Sequence, residues 1–184
     1  MLQDWSGVDQ DRAIGYIREC RSWDGAFGLL PGQEGHGGST YCAVASLVLM
    51  NRLEDGLQSR QDLIRWCTSR QVGGMQGRPN KDEDTCYSFW IGATLCLLGH
   101  DDLLNHDKLR DFVWLCQTPY GGFAKFVGQK PDVLHSFYST AYLSLSQRHF
   151  KSDDDSSNDI QLKELNCTLG ICSERAALFG PLPP

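Results

Sequence analysis

Gly25-Ala-Phe27, Gly73-Gly-Met75 and Gly121-Gly-Phe123 recur at a spacing of 48 residues, and Leu47, Leu95 and Leu143 follow them in the same register. A period this long, with one turn and two apolar stretches per unit, is the pattern of stacked helical hairpins. No such hairpin buries its apolar face alone, so the repeat is a scaffold. In that register Gly38, Cys86 and Leu134 are equivalent, as are Ser39, Tyr87 and His135. A Cys and a His therefore appear in successive units without being required by the repeat, and such departures are where function is sought.

The bulk properties agree with one helical domain. A chain of 184 residues with 41% hydrophobic content buries a sizeable core, and its net charge of −6 argues against a nucleic-acid partner. Eight cysteines suit a disulfide set by number, but they are spread along apolar helical segments. Cys20, Cys42, Cys67, Cys96 and Cys116 read as buried small hydrophobes of a reducing compartment. Met1 to Arg12 lacks a basic-then-apolar signal layout and no apolar run reaches membrane-spanning length, so the expected location is cytoplasmic.

Each unit reads as an outer helix, a Gly-rich turn, a loop and an inner helix. Outer helices are predicted at 8–20, 58–70 and 107–117, where apolar residues recur at helical spacing between charges: Ile14 and Ile17; Leu63, Trp66 and Cys67; Phe112, Leu115 and Cys116. Inner helices are predicted at 39–51, 85–99 and 133–148, nearly free of charge, giving two concentric layers. Asp84 and Asp132 share one repeat position immediately before an inner helix. Both suit an N-cap, and Asp132 is read as a cap alone. Residues 51–56 and Asp101-Asp102 mark connections. The repeat domain spans 1–150, residues 151–159 form a flexible acidic loop, and 160–184 hold a segment too short for a further repeat and a Pro-rich tail.

Asp84, Cys86 and His135 supply a carboxylate, a thiol and an imidazole at the starts of adjacent inner helices. Three protein ligands leave a tetrahedral zinc with an open place, as in a catalytic site. A lone Cys or His on a helix is more often a core residue, and the repeat register is what raises these above that reading. His36, Arg78, Lys81 and Lys125 lie in the turns before the inner helices, where helix N-termini and cations suit a diphosphate. The plainer alternative is that Arg78 and Lys81 offset Asp82, Glu83 and Asp84, and spacing leaves these readings level. Tyr41, Tyr87, Phe89, Trp90, Phe137, Tyr138 and Tyr142 fall on the inner helices, most as packing, some as walls of an apolar cavity.

Arg78-Pro-Asn-Lys-Asp-Glu-Asp-Thr-Cys-Tyr-Ser-Phe-Trp90 resembles the hallmark segment of protein prenyltransferase β subunits, and Pro31-Gly-Gln-Glu-Gly-His-Gly-Gly-Ser-Thr-Tyr-Cys42 resembles the turn before it. The resemblance runs from Trp23 to Leu145. It implies an α/α toroid, a catalytic Zn2+ and an α subunit as heterodimer partner. It also implies that Asp84, Cys86 and His135 are the zinc ligands, that His36, Arg78, Lys81 and Tyr87 hold the diphosphate, and that Trp90 walls the isoprenoid. Cys42 and Leu134 are placed with them on the substrate side. At Lys125 and Leu134 the chain is similar to the type I geranylgeranyl members; farnesyl and Rab-type members carry Asp in place of Lys125. A Lys there neutralises the departing diphosphate, so Mg2+ is not required. The implied reaction joins the thiol of a C-terminal Cys-aliphatic-aliphatic-X protein, X usually Leu and small GTPases among them, to C1 of geranylgeranyl diphosphate, with Asp84 and Lys125 acting in catalysis.

Three clear repeats do not close the ring implied by the family, so the expectation is an incomplete toroid with exposed apolar faces, the C-terminal portion of a subunit. Two other classes stay open beside a catalytic β subunit. One is a non-catalytic fragment that binds the α subunit or an isoprenoid. The other is a terpene cyclase, suggested by Asp82-Glu-Asp84-Thr85. Farnesyl and Rab-type β subunits are the near neighbours.

Overall fold

The computed structural model describes residues 4–150 and 161–180. The expected acidic loop, 151–159, and the Pro-rich end, 181–184, lie outside the described residues. The helices, in chain order, are α1 Gln10–Glu19, α2 Gly37–Leu49, α3 Leu53–Gly56, α4 Arg60–Thr68, α5 Thr85–Leu97, α6 His106–Leu115, α7 Val133–Ser146 and α8 Ser173–Ala176. A short antiparallel ribbon, β1 Leu165–Asn166 with β2 Ile171–Cys172, precedes α8. Helices α1, α4 and α6 form the outer layer. The inner helices α2, α5 and α7 pack side by side, with α5 between the other two. The predicted helices are present with every end within two residues of its predicted place, α3 occupies the predicted connection, and the α/α arrangement is that of a toroid segment. None of the helices is long and apolar enough to cross a membrane among the described residues.

Charge patterning separates the layers. The outer helices bury one stripe each, such as Leu63, Trp66 and Cys67 on α4. On α6 the stripe is His106, Leu109, Phe112 and Val113. Leu115, predicted to share it, falls on the far side of the helix and is exposed. On α5, by contrast, nine of thirteen residues are buried, because it packs against α2, α4, α6 and α7. Burial of Leu95, Ile91 and Phe89 stabilises this centre by about 1.5–3 kcal/mol per side chain. Among the described residues the inner helix packed on α2 is α5, and Cys42 of α2 is exposed. Cys42 is therefore not the buried hydrophobe expected. Cys20, Cys67 and Cys116 are buried, and Cys96 is half-buried.

The turns repeat in hydrogen-bond detail. The backbone N–H groups of His36, Asp84 and Asp132 donate to the carbonyls of Phe27, Met75 and Phe123 at 3.0, 3.0 and 3.3 Å. Each turn is thus tied back to the residue that starts its inner helix. A second bond joins neighbouring units: the first helical N–H of α2, on Gly37, donates to the carbonyl of Gly77 (2.8 Å), and that of α5, on Thr85, to Lys125 (3.0 Å). The second of these joints is doubled by the Thr85 hydroxyl, which donates to the Ala124 carbonyl at 2.9 Å. Gly25 and Gly121 take positive φ, 102° and 90°, the conformation that makes Gly the natural residue at these turns.

Candidate metal and diphosphate site

The three inner-helix N-caps are His36, Asp84 and Asp132, one repeat apart. Each side chain accepts a backbone N–H of its own helix: His36 Nδ1 from Gly38 (3.2 Å), Asp84 Oδ1 from Cys86 (3.0 Å) and Asp132 Oδ1 from His135 (2.9 Å). Helix capping thus puts a ligand-type atom at the same point of every unit. The equivalence of His36 with the two aspartates was legible in the 48-residue register but was missed, because imidazole is an unusual cap.

The unit-to-unit joints then fill the space beside each cap. The Lys125 carbonyl is held on α5 by Thr85, which brings the Lys125 ammonium within 3.6 Å of Asp84 Oδ2. At the corresponding joint before α2 the residue is Gly77. A Cβ there would lie 2.2 Å from the Tyr87 ring. Its absence lets Tyr87 reach across, with Oη 2.9 Å from His36 Nε2. Because Nδ1 accepts from Gly38, the neutral ring carries its proton on Nε2 and donates it to Tyr87 Oη, leaving the phenol O–H free to donate onward. Burial, and then the Arg78 charge, lower the His36 pKa, which favours this neutral form. Gly77→Ala is expected to push Tyr87 off His36 and weaken anion binding at this end by at least tenfold, measured by titration with inorganic diphosphate, while far-UV circular dichroism stays unchanged.

Asp84, Cys86 and His135 converge. Their ligand atoms all lie within 4.8 Å of one another, and His135 Nε2 is 3.3 Å from Asp84 Oδ1. On its other side His135 Nδ1 donates to Asp132 Oδ2 at 2.6 Å, which aims the Nε2 lone pair at Asp84 and Cys86. Asp132 therefore does more than cap α7: its second carboxylate oxygen also orients the His135 imidazole, a candidate ligand. Burial first, and then the adjacent Asp84 carboxylate, push the Cys86 thiol far above its ordinary pKa. A buried thiol beside a carboxylate is poorly placed to ionise unless a cation offsets both, so the donor set fits a zinc ion. Asp132→Asn separates the two roles, because Asn still caps a helix. We expect unchanged thermal stability but zinc affinity reduced about 10–100-fold, read by competition with a chelating dye.

A second group, Asp101, His106 and His149, is equally compact. There both His106 nitrogens are engaged, by the Asp101 carbonyl and Tyr142 Oη, and Asp101 is paired with Arg148 and His149. It is a structural network.

A cleft of about 540 Å³ opens next to the convergent ligands, lined by His36, Arg78, Lys81, Asp84, Tyr87 and Lys125, with Glu34 and Asp82 among the remaining residues. Six of the predicted site residues thus line one cleft. The turn Arg78-Pro79-Asn80-Lys81 presents two of the cations, with Asn80 at φ 61° as the left-handed residue. The charge-offset alternative for Arg78 does not describe the structure: Arg78 pairs with Glu34, and Glu83 instead accepts from the N–H groups of Gly73 and Gly74. Lys81 makes no ion pair among the described residues. Glu34 was missed, since its contact with Arg78 crosses from one unit to the next.

The other predicted substrate residues sit outside this cleft. Trp90 packs on Tyr87 and Tyr138, with ring centroids 5.4 and 4.6 Å apart. Leu134 is half-exposed on the first turn of α7, next to His135. Cys42 is exposed on α2. Of the candidate cavity aromatics, Phe89 and Tyr142 are core, while Tyr87, Trp90, Tyr138 and half-exposed Phe137 form an aromatic run across α5 and α7.

Comparison with known proteins gives this geometry a family. The chain is 51% identical over 156 residues to the geranylgeranyl transferase type-1 subunit beta of Arabidopsis thaliana, covering 79% of this chain and 42% of the relative. To the same subunit of Dictyostelium discoideum it is 46% identical over 145 residues, 78% of this chain and 41% of the relative. A structure of Candida albicans protein geranylgeranyltransferase-I complexed with GGPP superposes with a TM-score of 0.80 at 29% identity, over 94% of this chain and 50% of that one. The chain spans half or less of the length of these relatives. The Prenyltransferase alpha-alpha toroid domain matches residues 1–171, and the chain belongs to that family.

Proposed function

We propose that this chain carries the metal- and diphosphate-binding part of the β subunit of a cytoplasmic type I protein geranylgeranyltransferase. Its substrates are geranylgeranyl diphosphate and proteins ending in Cys-aliphatic-aliphatic-X, and an α subunit is its partner. The observation that carries this reading is the Lys125 ammonium beside Asp84, at the junction of the ligand cluster and the cationic cleft. The similarity to two type-1 β subunits supports it.

Asp84, Cys86 and His135 would hold Zn2+, which when bound supplies a positive charge that favours the thiolate form of a substrate Cys at neutral pH. Arg78, Lys81 and Tyr87 bind the diphosphate oxygens, and His36 orients Tyr87 so that its proton points outward. Lys125 faces the end of the diphosphate nearest Asp84, where charge grows as the bond to C1 breaks. A fixed ammonium there does the work of a magnesium ion, so transfer proceeds without Mg2+. Trp90 and its aromatic neighbours flank the isoprenoid, and Leu134 and Cys42 stand on the substrate side.

The test is prenyl transfer by this chain coexpressed with the α subunit, using geranylgeranyl and farnesyl diphosphates and a peptide ending in Cys-aliphatic-aliphatic-Leu, with and without magnesium. Magnesium-independent transfer of the longer isoprenoid is the expected result. Preference for the farnesyl chain, or a strict magnesium requirement, overturns the type I reading. Bound zinc without transfer favours a non-catalytic fragment.

A further inference from the structure

We propose that Cys96 and Cys167 are an oxidant-sensitive pair whose disulfide ties the β1–β2 ribbon to the central inner helix α5. The two Sγ atoms lie 2.7 Å apart across 71 residues of sequence, and both are thiols here. A disulfide bond is about 2.05 Å long, so closing it requires well under an ångström of movement.

The two thiols are unlike. Cys167 is buried in the turn of the ribbon, whereas Cys96 is half-buried on α5. A hydrogen bond from Cys167, and after it the Arg148 guanidinium, hold the Cys96 pKa below its ordinary value against its burial. The same contact with Cys96, together with burial, raises that of Cys167. Arg148 is itself steadied by Asp101, whose Oδ2 accepts from its Nε at 3.0 Å. Cys96 is thus the attacking thiolate and Cys167 the resolving thiol.

With a peroxide as oxidant, the Cys96 thiolate attacks one oxygen, the O–O bond breaks, and hydroxide leaves a sulfenic acid on Cys96. The Cys167 sulfur then attacks the Cys96 sulfur; the S–S bond forms, the S–O bond breaks, and the oxygen departs as water with the Cys167 proton. Two thiols lose two electrons and one hydrogen peroxide becomes two waters. The bond fixes a turn that already rests on the inner helices: Tyr41 Oη donates to the carbonyls of Cys167 and Thr168 at 2.8 and 3.1 Å. Gly170 sits where a Cβ would contact Phe89 and Phe137.

The experiment treats the purified chain with equimolar hydrogen peroxide, blocks remaining thiols with N-ethylmaleimide, and maps non-reduced peptides by mass spectrometry. A linked Cys96–Cys167 peptide is expected as the main cross-link, removed by dithiothreitol, with the unfolding midpoint of the oxidised chain several degrees higher. Cys167→Ser should strand Cys96 as a sulfenic acid that dimedone traps, and Cys96→Ser should leave Cys167 alkylated. Full alkylation of both residues after oxidation, or a scrambled set of pairs in which this one is not preferred, overturns the proposal. The map of the unsubstituted chain decides alone if a variant fails to fold.

Discussion

Cys86→Ala is expected to abolish zinc binding and, in the coexpressed heterodimer, turnover. Cys86 is the only sulfur in the cluster and is almost fully buried, with its backbone N–H bonded to Asp84. Removing it leaves a carboxylate and an imidazole 3.3 Å apart, too few donors for a tight tetrahedral site. The loss should exceed the 10–100-fold that follows from disturbing the groups behind a ligand. Folding should suffer little, because Ala is apolar, helix-compatible and smaller than Cys at a site that abuts the cleft. Zinc content by atomic absorption, with a thermal melt, checks this. A variant with one zinc per chain and normal rate would remove the metal assignment.

Lys125→Ala is expected to slow magnesium-free geranylgeranyl transfer by about 10²–10³-fold, the usual consequence of removing one fixed positive group from developing negative charge. Lys125 is half-exposed and 3.6 Å from Asp84, so its contribution to stability is small and zinc content should be unchanged. Lys125→Asp should be as slow without magnesium and recover part of the rate when it is added, since the new carboxylate is placed to hold the ion where the ammonium stood. Steady-state rates across a magnesium titration separate the three proteins. Equal rates for all three without magnesium would show that Lys125 does not face the leaving group.

The 48-residue register was enough to read the hairpins, their order and the layer each helix joins, because periodic burial leaves a periodic pattern of apolar residues. It also singled out Cys86 and His135, since Cys86 stands where the other units hold Gly and Leu, and His135 where they hold Ser and Tyr. Leu115 and Cys42 were misread for the same reason as each other: periodicity shows which residues are apolar, whereas exposure depends on which sides of a helix have neighbours. Asp132 was read only as a cap because its second partner depends on a side-chain rotamer at His135.

By itself, then, the sequence determined the repeat, the all-α class and the candidate ligands, since these follow from local propensity, capping and hydrophobic spacing. Only the tertiary structure decided that Lys125 stands over Asp84 while Gly77 leaves room for Tyr87 at His36, that Arg78 pairs with Glu34, and that Cys96 meets Cys167. Each of those contacts joins one unit to the next or to the C-terminal ribbon. Their geometry comes from the stacking of hairpins and the hydrogen bonds between them, which no single stretch of sequence encodes.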